Sequence, residues 1–143
     1  MIALDTNVLV YAHRRDNPFH AAAIRQVAEL AEGRNAWAIP WACLHEFYAV
    51  VTSRRANESA TTPAQALEQI DAWRESGSLR VLTETATHHV TLAALLREAH
   101  CVGPMVYDAR IAAICLDHGV SELITMDRDF ARFPALRTRS LLA

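Results

Sequence analysis

Short apolar runs alternate along this chain with longer segments in which apolar residues recur at helical spacing. Four runs, at residues 2–4, 36–39, 79–82 and 122–126, predict buried strands, and residues 136–139 predict a short fifth strand. Helical spacing predicts helices over residues 8–14, 20–32, 42–54, 63–76, 90–99 and 107–118. Strands that alternate with helices of about ten residues are typical of βαβ units. The pattern therefore predicts an α/β domain with a central parallel sheet and helices on both of its faces.

Glycine, proline and polar residues mark the ends of these predicted elements. Gly33 follows the second helix and Gly119 follows the last one, as stop signals do. The polar segment at residues 55–62 predicts a loop, and Pro63 stands where the first turn of a helix accepts a proline. No internal repeat, low-complexity tract or linker divides the chain. We therefore expect a single domain over residues 1–143.

The composition narrows the class of protein. A chain of 143 residues with 52% hydrophobic and 21% charged residues is typical of a compact folded domain and not of a disordered segment. No apolar run approaches the roughly 20 residues that a membrane span requires, and the N-terminus lacks the basic and apolar regions of a signal peptide. The three cysteines, Cys43, Cys101 and Cys115, form no CxxC pair, which favours free thiols. These features predict a cytoplasmic protein.

The charged residues restrict the chemistry that the chain can perform. The net charge of −2 does not by itself indicate a nucleic-acid binder, and all 14 basic residues are arginines. The absence of lysine excludes a P-loop lysine and Schiff-base catalysis. Any phosphate contact must therefore come from a guanidinium group, a helix N-terminus or a bound metal ion. Zinc is disfavoured, because no histidine pair with ligand spacing accompanies a cysteine pair.

Several carboxylates occupy strand ends or positions where apolar side chains are expected. Asp5 ends the first predicted strand, and Asp127 and Asp129 follow the fourth one, so they belong to the same edge of a parallel sheet. Glu46 and Asp108 lie on the core-facing sides of their predicted helices, among apolar residues three or four positions away. The sequence thus predicts that these acids approach one another.

Each of these acids also has an ordinary structural explanation. Asp5, Asp108 and Asp127 could cap helices or turns, and Glu46 could pair with an arginine. Asp117 provides an internal comparison, because it lies nine residues after Asp108, about half a turn out of phase, and is predicted to face solvent. Four acids that share the inner side or the same edge of the sheet are harder to explain by capping alone.

Convergent carboxylates predict a metal site. In a partly buried pocket they repel one another, which raises their proton affinity, and their burial without a partner is costly. A divalent cation relieves both effects, and oxygen ligands favour Mg²⁺ or Mn²⁺. Such ions bind a phosphate and activate a water molecule in phosphoryl-transfer sites.

Four sequence blocks together resemble the PIN domain family, and within it the VapC ribonuclease toxins of bacterial type II toxin–antitoxin modules. The blocks are Leu4-Asp5-Thr6-Asn7-Val8-Leu9, Glu46, Asp108-Ala109-Arg110-Ile111-Ala112-Ala113 and Thr125-Met126-Asp127-Arg128-Asp129-Phe130, and the tail Phe133-Pro134-Ala135-Leu136 also fits the toxin subgroup. The resemblance covers nearly the whole chain. It implies a parallel sheet of strand order 3-2-1-4-5 with the acids where the order reverses. It also implies metal-dependent endoribonuclease activity, a homodimer, and inhibition by a cognate VapB antitoxin whose tail lies in the active-site groove.

The resemblance further implies roles for individual residues. The family has four acids that are catalytic and bind Mg²⁺, with Mn²⁺ as a substitute. They correspond to Asp5, Glu46, Asp108 and Asp127. The hydroxyl and amide groups that orient these carboxylates correspond to Thr6, Asn7 and Thr125. Asp129 corresponds to an acid behind the direct ligands. Independently of the resemblance, Arg110 and Arg128 lie beside the acids in the sequence and are candidate RNA contacts.

Two other functions stay open at this point. A haloacid-dehalogenase-like phosphatase, as an example of another Mg²⁺-dependent phosphoryl-transfer hydrolase, also ends its first strand in an aspartate. Its motif, however, has a second aspartate where Asn7 stands here, and it usually includes a lysine. A catalytically idle binding module would act through antitoxin or RNA contacts alone. Substitution of Asp5 would then leave its biological effect unchanged.

Overall fold

A computed structural model describes residues 1–54 and 60–143 of the chain. The strands are β1 (Ile2–Leu4), β2 (Trp37–Pro40), β3 (Leu79–Leu82), β4 (Glu122–Ile124) and β5 (Thr138–Arg139). The helices are α1 (Thr6–His13), α2 (His20–Glu32), α3 (Trp41–Thr52), α4 (Pro63–Arg74), α5 (His88–Glu98) and α6 (Met105–Asp117), and a 3₁₀ helix covers Arg128–Arg132. The predicted loop at residues 55–62 lies partly outside the described residues. Its last residue, Thr62, forms a capping box with Gln65 at the start of α4.

The strands of the described residues form one parallel sheet in the order β3-β2-β1-β4-β5. This arrangement confirms the predicted α/β class and strand order. The chain moves in one direction across the sheet from β1 to β3 and then returns past β1 to form β4. With the right-handed crossovers that are the rule for parallel strands, this order assigns α1–α4 to one face and α5 with α6 to the other, and the helices of each group pack on one another.

β1 lies at the centre of the sheet, where hydrophobic burial holds it. Ala3 and Leu4 are fully buried, and the strand pairs with β2 on one side and β4 on the other. The backbone N–H of Asp5 donates a hydrogen bond of 3.0 Å to the Ile124 carbonyl. β1 therefore brings Asp5 to the carboxyl edge of the sheet at the point where the strand order reverses. Open α/β sheets form a crevice at such a point.

Aromatic side chains fill much of the core on both sides of the sheet. Trp37, Phe47, Phe130 and Phe133 are among the largest fully buried side chains. Trp73 packs edge-on against Phe47, with 4.9 Å between the ring centroids. Burial of one such side chain contributes about 1.5–3 kcal/mol. No helix within residues 1–54 and 60–143 is both long and apolar enough to cross a membrane.

The structure differs from the predicted elements in a few places. α6 begins at Met105, two residues before the predicted start, because Gly103 turns the chain with a φ of +55°. β4 ends at Ile124 and not at residue 126. Val50 and Leu67, predicted on the apolar faces of α3 and α4, are 40% and 53% exposed. Helical spacing correctly predicts a buried stripe in each helix but not the width of that stripe.

Candidate active site

A shallow cavity opens at the carboxyl ends of β1 and β4. Its volume is about 280 Å³. Its lining comes from the β1–α1 junction (residues 5–7), the rest of α1, α3, α6 and the segment after β4: Asp5, Thr6, Asn7, Val10, Tyr11, Glu46, Val50, Asp108 and Asp127. The lining includes all four acids of the predicted quartet. These acids come from four separate parts of the sequence, so their approach depends on the tertiary fold.

Asp5 is the most deeply buried acid of the cavity, with 4% of its surface exposed. It occupies the N-cap position of α1, but its side chain makes no capping hydrogen bond. Its Oδ2 accepts a hydrogen bond of 2.7 Å from the Thr125 hydroxyl, and its Oδ1 accepts one of 3.7 Å from the Cys43 thiol. Burial raises the pKa of Asp5 to about 6, and the charges of Glu46 and Asp108 act in the same direction. Helix capping therefore does not account for this side chain.

Glu46 enters the cavity from α3 and is held by a residue of the β1–α1 junction. The Thr6 hydroxyl donates a hydrogen bond of 2.7 Å to Glu46 Oε2. Thr6 is itself buried, so the contact is largely shielded from water. An exposed partner would compete with solvent for the carboxylate, whereas this hydroxyl fixes its orientation. The structure thus places Glu46 beside Asp5, as the sequence predicts.

Two polar side chains hold the segment after β4 against the β1–α1 junction. Asn7 Oδ1 accepts a hydrogen bond of 3.2 Å from the backbone N–H of Met126. The Thr125 hydroxyl donates to Asp5 and accepts a hydrogen bond of 2.9 Å from the backbone N–H of Asp127. One hydroxyl therefore joins the carboxylate that follows β1 to the backbone that follows β4. Thr125 thus contacts a carboxylate directly, whereas the hydrogen bond of Asn7 is to the backbone, and the supporting roles of both residues stay predictions.

Three carboxylates form a tight group at one side of the cavity. Asp108, Asp127 and Asp129 each place an oxygen atom within 4.8 Å of the oxygen atoms of the other two. The backbone N–H of Asp129 donates a hydrogen bond of 2.8 Å to Asp127 Oδ1, so Asp127 caps the 3₁₀ helix while it also lines the cavity. Burial, followed by the charges of Asp127 and Asp129, raises the pKa of Asp108 to about 6. Asp129, predicted to stand behind the direct ligands, belongs to the same cluster.

The two predicted RNA-contacting arginines have different environments. Arg110 forms an ion pair of 2.6 Å with Glu84 in the β3–α5 connection, and its Nε donates to the same carboxylate at 2.7 Å. This ion pair therefore holds the Arg110 guanidinium at Glu84, which is not one of the acids that line the cavity. Arg128 follows Asp127 and is exposed. Its guanidinium is thus open to solvent, and its contact with RNA stays a prediction.

Asp117 corrects one detail of the sequence prediction. It was predicted to face solvent, but it is half-buried and accepts hydrogen bonds of 2.6 Å from Thr91 and 3.0 Å from Thr85. The two hydroxyls come from α5 and the segment before it, which pack against the end of α6. The predicted helical phase still holds, because Asp117 is not part of the cavity lining.

Comparison with known proteins identifies the family. Residues 2–136 match the PIN domain family. The chain belongs to the PIN domain family. Ribonuclease VapC43 of Mycobacterium tuberculosis is 34% identical over 139 residues, which cover 97% of this chain and 94% of the relative. Ribonuclease VapC31 of the same species is 31% identical over 137 residues, which cover 96% of each chain.

Solved structures share the fold of this PIN domain. VapBC2 from Rickettsia felis, bound to a DNA fragment from its promoter, contains a chain that is 23% identical with a TM-score of 0.72, and the match covers 98% of both chains. VapBC-1 from nontypeable Haemophilus influenzae contains one that is 19% identical with a TM-score of 0.70, over 100% of both chains. At these identities the likeness shows the fold alone, and it agrees with the sheet described above.

The donor atoms in the cavity of this PIN domain fit a hard divalent cation. The acids offer oxygen ligands only, which Mg²⁺ and Mn²⁺ prefer. The raised pKa values of Asp5 and Asp108 show that burial and mutual repulsion act on these carboxylates. Arg132, at 3.8 Å from Asp129, is a distant counter-charge. A cation would relieve the repulsion that the protein itself leaves in place.

A polar contact within the site of this PIN domain is not predicted by the sequence. Helical spacing assigns Cys43 to the apolar face of α3, three residues before Glu46. It gives no sign that the thiol meets a carboxylate of another element, yet Cys43 Sγ donates to Asp5. Burial, with the charge of Asp5 as a further cause, raises the pKa of the Cys43 thiol well above its usual range. The group therefore stays protonated and acts as a donor.

Proposed function

We propose that this PIN domain is a metal-dependent endoribonuclease and the toxin of a VapBC-type toxin–antitoxin pair. The observation that carries the proposal is the convergence of Asp5, Glu46, Asp108 and Asp127 on one cavity where the strand order reverses. The names of relatives support the reaction class, since proteins 34% and 31% identical over nearly the whole chain are named ribonucleases. The reaction would be hydrolysis of RNA phosphodiester bonds.

Asp5, Glu46, Asp108 and Asp127 would hold Mg²⁺, or Mn²⁺ in its place. When bound, the cation supplies positive charge to the scissile phosphate and lowers the pKa of a water molecule. Asp129 has an oxygen within 4.8 Å of those of Asp108 and Asp127. We therefore assign Asp129 to the same acidic site, where it adds to the negative charge that attracts the cation.

Residues of the chain itself position the reacting groups. Thr6 and Thr125 hold Glu46 and Asp5 through hydrogen bonds of 2.7 Å, so these carboxylates need little reorganisation when RNA binds. Asn7 holds the backbone just before Asp127. One carboxylate of the quartet accepts the proton of the attacking water. Arg128, exposed beside the acids, would bind a phosphate of the RNA.

The proposal includes the partners of such a toxin. We expect an RNA substrate, a cognate VapB-type antitoxin that blocks the cavity, and a second copy of the chain in a homodimer. The fold shared with VapBC2 and VapBC-1 supports the antitoxin partner by analogy. The cytoplasm is the expected place of action, because the proposed substrate is cellular RNA.

The enzyme proposal is tested by incubating purified protein with total RNA. Discrete fragments are expected with Mg²⁺ or Mn²⁺, and none with EDTA or with the Asp5→Asn variant. Mapping the fragment ends would identify the RNA that is cut. If folded, antitoxin-free protein cleaves nothing with either metal, the enzyme proposal is wrong. A binding module that acts through antitoxin or RNA contacts then becomes the better explanation.

Arg128→Ala is expected to raise the KM for RNA about three- to tenfold and to leave kcat nearly unchanged. One lost phosphate contact should also reduce the slope of log affinity against log salt concentration by about 1. Cleavage of a labelled RNA at several salt concentrations measures both quantities. Arg110→Ala is the matched control, because its guanidinium is paired with Glu84. Equal salt slopes for the two variants would contradict the assignment of Arg128 as the phosphate contact.

A further inference from the structure

The thiol of Cys43 contacts the most buried acid of the cavity. Cys43 is fully buried in α3, and its Sγ lies 3.7 Å from Asp5 Oδ1 with the geometry of a hydrogen bond. The other oxygen of this carboxylate accepts a hydrogen bond of 2.7 Å from the Thr125 hydroxyl. Each oxygen of Asp5 therefore has one side-chain donor, and the backbone N–H of Thr6 acts on the same carboxylate. Cys43 itself is not part of the cavity lining, so it reaches the site only through Asp5.

A second hydrogen bond joins the same two elements in the opposite direction. Glu46 lies one helical turn after Cys43 in α3, and it accepts a hydrogen bond of 2.7 Å from Thr6, the residue that follows Asp5. The β1–α1 junction and α3 thus each donate one hydrogen bond to an acid of the other. Together the two bonds fix Asp5 and Glu46 relative to each other. An apolar side chain at residue 43 would fill the same space but would remove the thiol donor from Asp5 Oδ1.

We propose that Cys43 is a positioning residue of the active site, whose S–H group orients the Asp5 carboxylate for metal binding. This inference rests on the proposed metal-dependent function. A neutral and weak donor suits the task, because it restricts rotation of the carboxylate without neutralising the charge that a cation needs. A guanidinium group in this place would fix Asp5 equally well but would compete with the cation for it.

Cys115 provides a matched comparison within the same chain. It is also fully buried, it lies on α6, and the charge of Asp5 acts on its thiol as it does on that of Cys43. The structure gives no hydrogen bond between Cys115 and Asp5, both of which are described residues. Replacement of either cysteine by alanine leaves a small cavity of similar size. Only Cys43→Ala also removes a donor from Asp5.

The contact itself is tested by infrared spectroscopy of the metal-free protein. The S–H stretching bands of the two buried thiols are assigned by their loss in Cys43→Ala and Cys115→Ala. The Cys43 band is expected at the lower wavenumber, because donation to a carboxylate weakens the S–H bond. In Asp5→Asn, where the amide oxygen accepts from Thr125 and the NH₂ group faces Cys43, the thiol loses its carboxylate acceptor and the Cys43 band should move towards that of Cys115. Coincident bands in the wild-type protein would overturn the proposed contact.

The positioning role is tested by titration with Mn²⁺. Cys43→Ala is expected to weaken Mn²⁺ binding about tenfold, which is the low end of the effect for residues that orient metal ligands. The Mn²⁺ affinity of Cys115→Ala should stay within about twofold of that of the wild type. Cys43→Ser keeps a donor and should recover part of the lost affinity. Equal weakening by both alanine variants would overturn the positioning role. If the wild-type protein binds no Mn²⁺, the proposed function fails, whereas the infrared comparison still decides the contact between Cys43 and Asp5.

Discussion

Asp108→Asn is expected to lower kcat for RNA cleavage about 1,000-fold. The loss of a metal ligand removes several kcal/mol of transition-state stabilisation, and about 1.4 kcal/mol corresponds to a factor of ten in rate. Asp108 has a central place among the acids, since its pKa is raised first by burial and then by the charges of Asp127, Asp129 and Glu46. The amide keeps the size of the side chain but removes its charge. Single-turnover cleavage of an RNA that contains the mapped site measures the rate, and Mn²⁺ titration measures metal affinity.

Asp117→Asn is the matched control on the same helix. Asp117 accepts hydrogen bonds from Thr85 and Thr91 and lies outside the cavity lining. The amide weakens these contacts, so the variant is expected to lose about 1 kcal/mol of unfolding free energy. Its kcat should stay within about twofold of the wild type when the protein is folded. If Asp108→Asn keeps a tenth or more of the wild-type rate, Asp108 is not a metal ligand in the reaction.

Local sequence pattern predicts the elements of this fold well because each element buries one face. The apolar run before Asp5 predicts β1 with its observed bounds, and helical spacing predicts α2 with its observed bounds, Ile2–Leu4 and His20–Glu32. Strand order is different, since periodicity does not contain it. It follows from the resemblance to PIN domains, and the structure confirms it.

Contacts between distant residues are what the sequence could not predict. Cys43 donates to a residue 38 positions away, and Asp117 accepts from Thr91, 26 positions away. Arg110 lies in the sequence beside the acids, but two residues along a helix turn its side chain away from Asp108 and towards Glu84. Helical phase predicts which side of an element a residue occupies. The packing of several elements then decides which group it meets.

Asp5→Asn is expected to stabilise the metal-free protein at pH 7, although it removes a proposed ligand. Asp5 is 4% exposed, and burial raises its pKa from its ordinary value of 3.8 to about 6. Ionisation of this residue in the fold therefore costs about 3 kcal/mol at neutral pH. The asparagine oxygen can still accept from Thr125, but its amide group meets the thiol of Cys43, a weak acceptor, which offsets part of the gain. We expect a net gain of about 1–2 kcal/mol, or roughly 3–7 °C in Tm for a chain of 143 residues.

The pH dependence of this gain identifies its cause. Between the ordinary pKa of 3.8 and the raised pKa of about 6, the folded protein holds a proton at Asp5 that the unfolded chain has released. The stability of the metal-free wild type therefore falls as pH rises through this range, and the Asn variant lacks this contribution. Urea unfolding in EDTA should show the full net gain above about pH 6, whereas below about pH 4 only the cost of the amide–thiol contact remains and the Asn variant should be the less stable protein. Excess Mg²⁺ should reverse the order, because a ligand that binds the folded wild type stabilises it by mass action. If the Asn variant has the lower free energy of unfolding at pH 7 in EDTA, burial of an ionised Asp5 does not destabilise the metal-free fold. Repulsion and burial of the carboxylates would then give no reason to expect a cation in this cavity.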